Sequence, residues 1–538
     1  MLRANRKTLP AMAAIVFWCG CTGPAEYLRN GFKVGPNYRQ PAAPVAEHWI
    51  DAVDIRAQEG EDLSRWWTVF NDPALDGLVV QAYQQNLSLR EAGFRVLQAR
   101  AQFGIAVGEL FPQQQNAFGS YSREAVSRSS AGLSPAKHFF DQWNAGFNLA
   151  WELDFWGRFR RAVAAADAQL DASVESYDDV LVTLLSDVAT NYVQVRTLQE
   201  RIRLLQFNVD LQKLVLDWTN RRLKGGKAGT LLLDVHQIES SLEQTASQIP
   251  ELEIQLRQAE NRLCTLLGTP PADLHDLIGE DRIPTPLPDV VIGIPADLLR
   301  RRPDVRRAER LAAAQSELIG IAQADLYPAF SINGTLGYQA RNFPDLLSSK
   351  SFTGSVGPSF QWNLLNYGRI VNNVRLQDAR FQELVVTYQN TVLQANEEAE
   401  DGLVTFLRAQ RRAKHLQRSV KAAGAAVDEM FDIWQKGKAG FDFNRFVLIE
   451  QNRVQQQDLL AQSKGEIAQG LIQVYRALGG GWEIRLGPGP VVPPAPAAPP
   501  GVPAEGAEEL QKLRRLLEPQ AGVPPPVEPE RLPAPLPK

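Results

Sequence analysis

Histidine and cysteine are scarce in this chain. Its 538 residues include five histidines and three cysteines. His48, His138, His236, His275 and His415 are scattered, and no two have helical metal-ligand spacing. HExxH, GxxxxGK[ST] and GxSxG patterns are absent, which removes the common zinc-hydrolase, phosphate-loop and serine-hydrolase readings. So few cysteines imply no disulfide framework. Cys264, within NRLCTLLG, reads as a small apolar packing residue. Charge of one sign is also missing. The formal net charge is -4, so no basic field draws nucleic acid. Beyond the N-terminal segment there is no run of 18 apolar residues, hence no expected transmembrane helix. A membrane crossing would have to be made by β-strands. Nothing calls for a cofactor, and the chain does not read as an enzyme.

What is present begins with an address. Arg3, Arg6 and Lys7 precede a short apolar stretch, Leu9 to Trp18, and Gly20 precedes Cys21. Residues 1–20 read as a secretory signal. Ending before a cysteine, it resembles a bacterial lipoprotein signal with Cys21 acylated; an ordinary cleaved signal is the alternative. Several acyl chains on one residue would anchor the protein firmly.

The rest is a duplication. At an offset of 211, WELDFWGR (Trp151 to Arg158) falls on WNLLNYGR (Trp362 to Arg369), and GKAG (Gly226 to Gly229) falls on GKAG (Gly437 to Gly440). Upstream the offset is 216, matching GIAVGELFP (Gly104 to Pro112) with GIAQADLYP (Gly320 to Pro328). Self-similarity of this kind defines the architecture. Each unit reads as helix, two strands, then two long helices.

Alternation gives the strands. Trp143, Ala145, Phe147, Leu149, Trp151 and Leu153 alternate with Gln142, Asn144, Gly146, Asn148 and Glu152. Phe352, Val356, Phe360, Trp362 and Leu364 alternate with Ser, Thr, Gln and Asn, and Phe330, Ile332, Leu336 and Tyr338 repeat the pattern. The strand after Pro112 is polar and weakly patterned. An aromatic apolar face, a neutral polar face and a length near 10 residues suit membrane strands; a sandwich with one wet face would share the alternation. Neither 158–226 nor 369–437 contains proline, and a continuous helix of that length would reach about 100 Å. Tyr177, Leu181, Leu184, Val188, Tyr192 and Val195 step by threes and fours, as do Tyr388, Val392, Ala395, Ala399, Leu403 and Phe406. Pro250 should kink the first returning helix. The domains expected are a signal over 1–20, a lipid-anchored arm over 21–70, repeats over 71–290 and 291–482, and a Pro-rich tail over 483–538. The strand hairpins lie at about 112–153 and about 328–365. The helical hairpins lie at 158–268 and 369–479.

Four strands cannot close a membrane barrel, whose smallest known form has about eight, and open edges cannot face lipid. The barrel must therefore be shared among copies.

These residues resemble the TolC-like outer-membrane efflux family, in the lipoprotein branch serving resistance-nodulation-division pumps. VGPNYRQP (Val34 to Pro41), WWTVFNDPALDGLVVQA (Trp66 to Ala82), WELDFWGRFRRAV (Trp151 to Val163), IPADLLRRRPDVRRAE (Ile294 to Glu309) and YRALGGGW (Tyr475 to Trp482) carry the likeness. The resemblance implies a mainly α fold with a membrane β-barrel. A homotrimer would form a twelve-stranded barrel and a twelve-helix periplasmic tunnel. It implies an exit duct working with a periplasmic adaptor (membrane fusion) protein and an inner-membrane efflux transporter, in outer-membrane lipid. It places adaptor docking on the two glycine turns, Gly226/Gly229 and Gly437/Gly440, which are otherwise plain turn formers. It also implies a periplasmic gate. The family's Leu, Asp and Arg at i, i+4 and i+7 map onto Phe446, Glu450 and Arg453, in a segment one residue longer than the usual pattern. Ordinary helix packing with an exposed ion pair fits the same spacing. A type I secretion duct and a lipid-anchored periplasmic coiled-coil protein are the alternatives. The cargo is not legible.

Overall fold

The computed structural model describes residues 23–46, 48–50, 63–125, 138–225, 231–279, 282–285, 300–435 and 442–487. The signal, Cys21, both GKAG turns and the tail from 488 onward lie outside them. The helices are α1 (Pro24–Arg29), α2 (Pro73–Gln85), α3 (Leu87–Gly108), α4 (Arg158–Lys224), α5 (Leu232–Leu266), α6 (His275–Ile278), α7 (Pro303–Ala324), α8 (Arg369–Gln435) and α9 (Phe443–Ala477). The strands are β1 (Gln114–Ala125), β2 (Phe139–Leu153), β3 (Ala329–Ala340) and β4 (Phe352–Gln361). Short 3-10 turns cover Leu63–Phe70 and Trp482–Arg485.

The duplication is visible in the helix lengths. α4 and α8 are each 67 residues, α5 and α9 each 35, and α3 and α7 each 22. The bounds of both long pairs differ by the same 211 positions as the sequence motifs. Each long helix starts after a glycine in the left-handed region, Gly157 at φ 84° and Gly368 at φ 80°. A side chain is disfavoured there, and a Cβ on Gly157 would also strike Lys33. α5 runs unbroken through Pro250. The proline removes one ladder donor without ending the helix.

The helices pack side by side in two tiers. In the tier next to the sheet, α3 packs on α4, α4 on α7, and α7 on α8. In the other tier, α5 packs on α4, α4 on α9, and α9 on α8. The main core joins them: Leu181, Leu185, Val188, Tyr192 and Leu198 of α4 meet Leu471, Ile472 and Tyr475 of α9, with Trp66, Trp67, Leu75 and Leu78 beside them. Asp72 caps α2 by accepting from the Ala74 and Leu75 amides, and its other oxygen accepts the Tyr192 hydroxyl at 2.6 Å.

Arginine ties fasten the N-terminal arm to this frame. Arg161 is fully buried. It donates to the Val34 carbonyl at 2.5 Å and the Gly35 carbonyl at 2.8 Å, and pairs with Glu317 at 2.6 Å. A buried cation is tolerated only when paired and hydrogen-bonded in this way. Replacing Arg161 by Met should therefore lower stability by about 3–5 kcal/mol, the cost of leaving a buried charge partnerless. Thermal unfolding of the detergent-solubilised protein measures it.

Candidate functional site: the sheet and the helical ends

The four strands form one antiparallel sheet in the order β1-β2-β3-β4. Register sorts the side chains into two faces, because successive residues point to opposite sides. One face carries Tyr121 and Ala117 on β1, Trp143, Phe147, Leu149 and Trp151 on β2, Phe330, Ile332, Leu336 and Tyr338 on β3, and Phe352, Val356, Pro358 and Phe360 on β4. Many of these are bare: Phe147 is 68% exposed, Val356 67% and Phe360 69%. A soluble sheet would cover such a face.

Aromatics gather at its two ends. At one, Tyr121 lies 4.5 Å from Trp143, Trp143 4.9 Å from Phe343, and Tyr338 5.9 Å from Phe352 (centroid distances). At the other, Phe330 lies 5.5 Å from Phe155 and 6.4 Å from Phe360. From Trp143 to Trp151 the strand rises about 26 Å, or about 20 Å of height at a barrel tilt of about 40°. Two aromatic girdles flanking an apolar band of that height match the outside of an outer-membrane barrel. Past the first girdle, Arg123 and Asp141 pair at 3.8 Å, where water is again within reach.

The opposite face is polar and almost uncharged. It carries Asn116, Ser120, Gln142, Asn144, Asn148, Asn333, Thr335, Ser355 and Ser359, with Phe118 on β1 and Phe140 on β2 as aromatic exceptions. Cross-strand bonds between these side chains, such as Thr335 to Asn148 at 3.0 Å and Asn333 to Ser359 at 2.7 Å, hold the surface in place. Glu124 and Glu152 stand only towards the strand ends. This face suits a wet, neutral wall.

Below the sheet the repeats close on each other. The Trp151 indole donates to the Leu110 carbonyl, and its counterpart Trp362 donates to the equivalent Leu326 carbonyl at 3.0 Å. The sequence reading carried β4 through Trp362 and Leu364. The strand instead ends at Gln361, because β3 offers its last partner at Ala329 and Trp362 is held from behind by that indole bond.

The sequence motifs around the equator prove to be ionic ties. Arg302 binds Asp304 and Glu398, each at 2.8 Å, and the Ala477 carbonyl at 2.7 Å. Arg485 grips the buried Asp178 at 2.5 and 2.8 Å. Arg306 pairs with Glu175 at 2.6 Å and lies 4.3 Å over the Trp482 ring. Burial pushes the Asp178 and Glu175 carboxyls above the ordinary range, against the pull of Arg485 and Arg306 respectively. A raised carboxyl pKa means the folded chain takes up protons before the unfolded one. These two therefore favour the fold as pH falls, and do not drive acid unfolding. Nothing in the sequences LLRRRPDVRRAE and GRFRR by themselves assigns these arginines a partner. Their density beside apolar helix patterns was the available signal.

The three residues expected at the gate do come together, but inside the chain. Phe446 of α9 is 2% exposed and shares a buried cluster with Val215 of α4, Ile238 of α5, and Val427 and Met430 of α8. Glu450 is buried and pairs with Arg453 at 2.6 Å, and Arg453 also donates to Asn208 of α4 at 2.9 Å. Asn208 in turn donates to Gln457, and Arg201 pairs with Asp458 at 2.6 Å. As placed, the trio belongs to a seam joining α9 to α4, and the ion pair is not exposed. The docking turns at Gly226, Gly229, Gly437 and Gly440 fall outside the described residues.

A sheet with a lipid-suited aromatic face, continued by paired long helices, defines a subunit of an outer-membrane channel. Comparison gives the family. Residues 78–269 and 294–480 match the outer membrane efflux protein family model, and the chain belongs to that family of non-enzymatic export channels with the TolC-like fold. It is 30% identical to the pyoverdine export outer membrane protein OpmQ of Pseudomonas aeruginosa over 89% of this chain and 98% of the relative. It is also 30% identical to nodulation protein T of Rhizobium leguminosarum bv. trifolii, over 74% and 83%. The structure of the outer-membrane channel OprN superposes with a TM-score of 0.79 at 31% identity, covering 84% of this chain and 99% of that one. CusC, at 23% identity and a TM-score of 0.72, shares the fold.

The two faces make opposite demands on charge. Phe147→Arg should cost about 2–4 kcal/mol of membrane stability, as for a cation at the bilayer midplane. Asn148→Arg, one residue along on the wet face, gives up only the exposed Thr335 bond and should cost about 1 kcal/mol or less. Folded yield in outer-membrane fractions separates them.

Proposed function

We propose that three copies of this chain assemble into the passive outer-membrane exit duct of a tripartite efflux system. Open flanks carry the reading. Among the described residues, β1 and β4 each have one unpaired edge. The same two flanks are open in the helices: α3 and α8 beside the sheet, α5 and α8 farther down. Edges cannot face lipid, so β4 and α8 of one copy must meet β1, α3 and α5 of the next. Two copies would make eight strands, with an interior filled by side chains. Three make twelve, leaving room for passage.

The arm is proposed to begin at an acylated Cys21 in the inner leaflet of the outer membrane. The glycine turns at Gly226, Gly229, Gly437 and Gly440 are proposed to dock a periplasmic adaptor, which links the duct to an inner-membrane transporter. Phe446, Glu450 and Arg453 would bear on gating by locking α9 to α4 rather than by lining a ring. Relatives are named for export of pyoverdine, antibiotics and toluene. Small organic solutes are the proposed cargo, and a neutral amide and hydroxyl wall would pass them with little regard to charge.

Deleting the gene in a strain without a redundant homologue should raise sensitivity to several unrelated compounds, and wild-type chain should restore resistance. Unchanged sensitivity across a broad panel would overturn the efflux reading.

A further inference from the structure

The N-terminal arm makes a strained turn where the sheet gives way to the helices. α1 buries Tyr27, and the chain then runs through Gly31 at φ 67° and Phe32 at φ 62°. A left-handed backbone is an outlier for a residue as bulky as phenylalanine, and such strain persists only where surrounding contacts impose it. Here the Phe32 amide donates to the Tyr27 carbonyl at 2.9 Å. Arg160, in the first turn of α4, donates to the Gly31 carbonyl at 2.8 Å and to the Phe32 carbonyl at 2.7 Å. Asp154 holds that arginine in turn, at 2.7 Å. The ring fixed in this way is not packed inside: Phe32 is 54% exposed, Phe155 53% and Leu28 of α1 60%.

Ring contacts make this turn continuous with the lipid-facing band. Phe32 lies 5.6 Å from Tyr27, Tyr27 5.6 Å from Trp156, and Trp156 4.9 Å from Phe155 (centroids). Phe155 reaches Phe330 of the lower girdle at 5.5 Å, and its carbonyl accepts the Tyr27 hydroxyl at 2.7 Å. The group is seated under the middle of the sheet. Trp156 follows β2, stacks on Tyr327 at 4.5 Å and donates to the Pro328 carbonyl just before β3. β2 and β3 are the central strands, so a copy joining at β1 or β4 leaves these residues bare. A patch of large apolar side chains left open in this way marks a surface meant for a partner. Exposed Arg29 and half-buried Lys33 follow Leu28 and Phe32 directly in the chain. Their stems are long enough to keep each cation at the membrane surface while the rings lie deeper.

We propose that this turn is a phospholipid footing: Phe32, Phe155 and Leu28 enter the inner-leaflet surface of the outer membrane beside the lower girdle, and Arg29 and Lys33 meet headgroup phosphates. Amphipathic segments hold such a surface by buried apolar area together with attraction to anionic lipid. The contact is made by side chains, goes beyond the acylation proposed at Cys21 and does not depend on it. Arg160 is its positioning residue. By fixing the Gly31 and Phe32 carbonyls from the start of α4, it sets the depth of the footing against the first long helix.

Photochemistry on the full-length chain in native outer membranes reads the contact. With p-benzoylphenylalanine in place of Phe32, illumination should add the mass of a phospholipid to the protein. The same group in place of Gln40 should add none, because the arm has by then descended along α7, where Tyr38 bonds Glu309 at 3.1 Å. Adducts to protein alone at position 32, no adduct there, or equal lipid adducts at both positions would each overturn the footing. Hydrogen exchange gives a second measure, in vesicles of phosphatidylethanolamine and phosphatidylglycerol. Amides of residues 24–34 should exchange several-fold faster in Phe32→Glu than in wild type, with the sheet unchanged. Phe32→Leu, which keeps an apolar side chain, should stay near wild type. Equal exchange in the Glu and Leu variants would contradict insertion into lipid.

Discussion

In a bilayer's hydrocarbon, every backbone N–H and C=O must find a partner within protein, since no water is there to offer one. Each unpaired group costs several kcal/mol. This chain provides four strands whose central pairings are complete and whose two outer edges are not. An aromatic apolar face fixes which side meets lipid. The incomplete edges fix that the sheet is a fraction of something larger. The arrangement below the sheet follows from the same demand, because helices that continue the strands carry open flanks in the same order.

Duplication is how the chain meets that demand economically. One unit of helix, strand hairpin and long helical hairpin occurs twice, with long helices of identical length. The two units differ where they need not match. The first carries Arg161, sealed by the N-terminal arm and Glu317; the second has Asn372 at the equivalent position. Such differences make the two units distinct in chemistry where their backbones match.

Much of this was legible in the residues. The repeat offset located the helices, since exact sequence register becomes exact structural register when no insertion intervenes. Alternation located β2, β3 and β4, because one face of each is apolar. β1 carries polar residues on both faces for much of its length, so periodicity gave it little definition. β4 was read three residues too long because Trp362 continues the apolar alternation, while its indole is in fact spent on the Leu326 carbonyl. Phe446, Glu450 and Arg453 share a helix face as their spacing requires. Spacing alone does not say which neighbour that face meets, and Asn208 lies 245 positions from the arginine it binds. The ties from Arg302 to Glu398, Arg306 to Glu175 and Arg485 to Asp178 were hidden for the same reason: these partners are distant in sequence, and no short motif records them.

The mass of the detergent-solubilised mature protein, read by native mass spectrometry, bears most directly on whether the sheet is completed by self-association. A species of three chains, converted to single chains only on heating, is the expected result. A stable single chain that remains folded and dissolved once detergent is withdrawn would contradict the account, since its bare aromatic face and open edges would then need no partner.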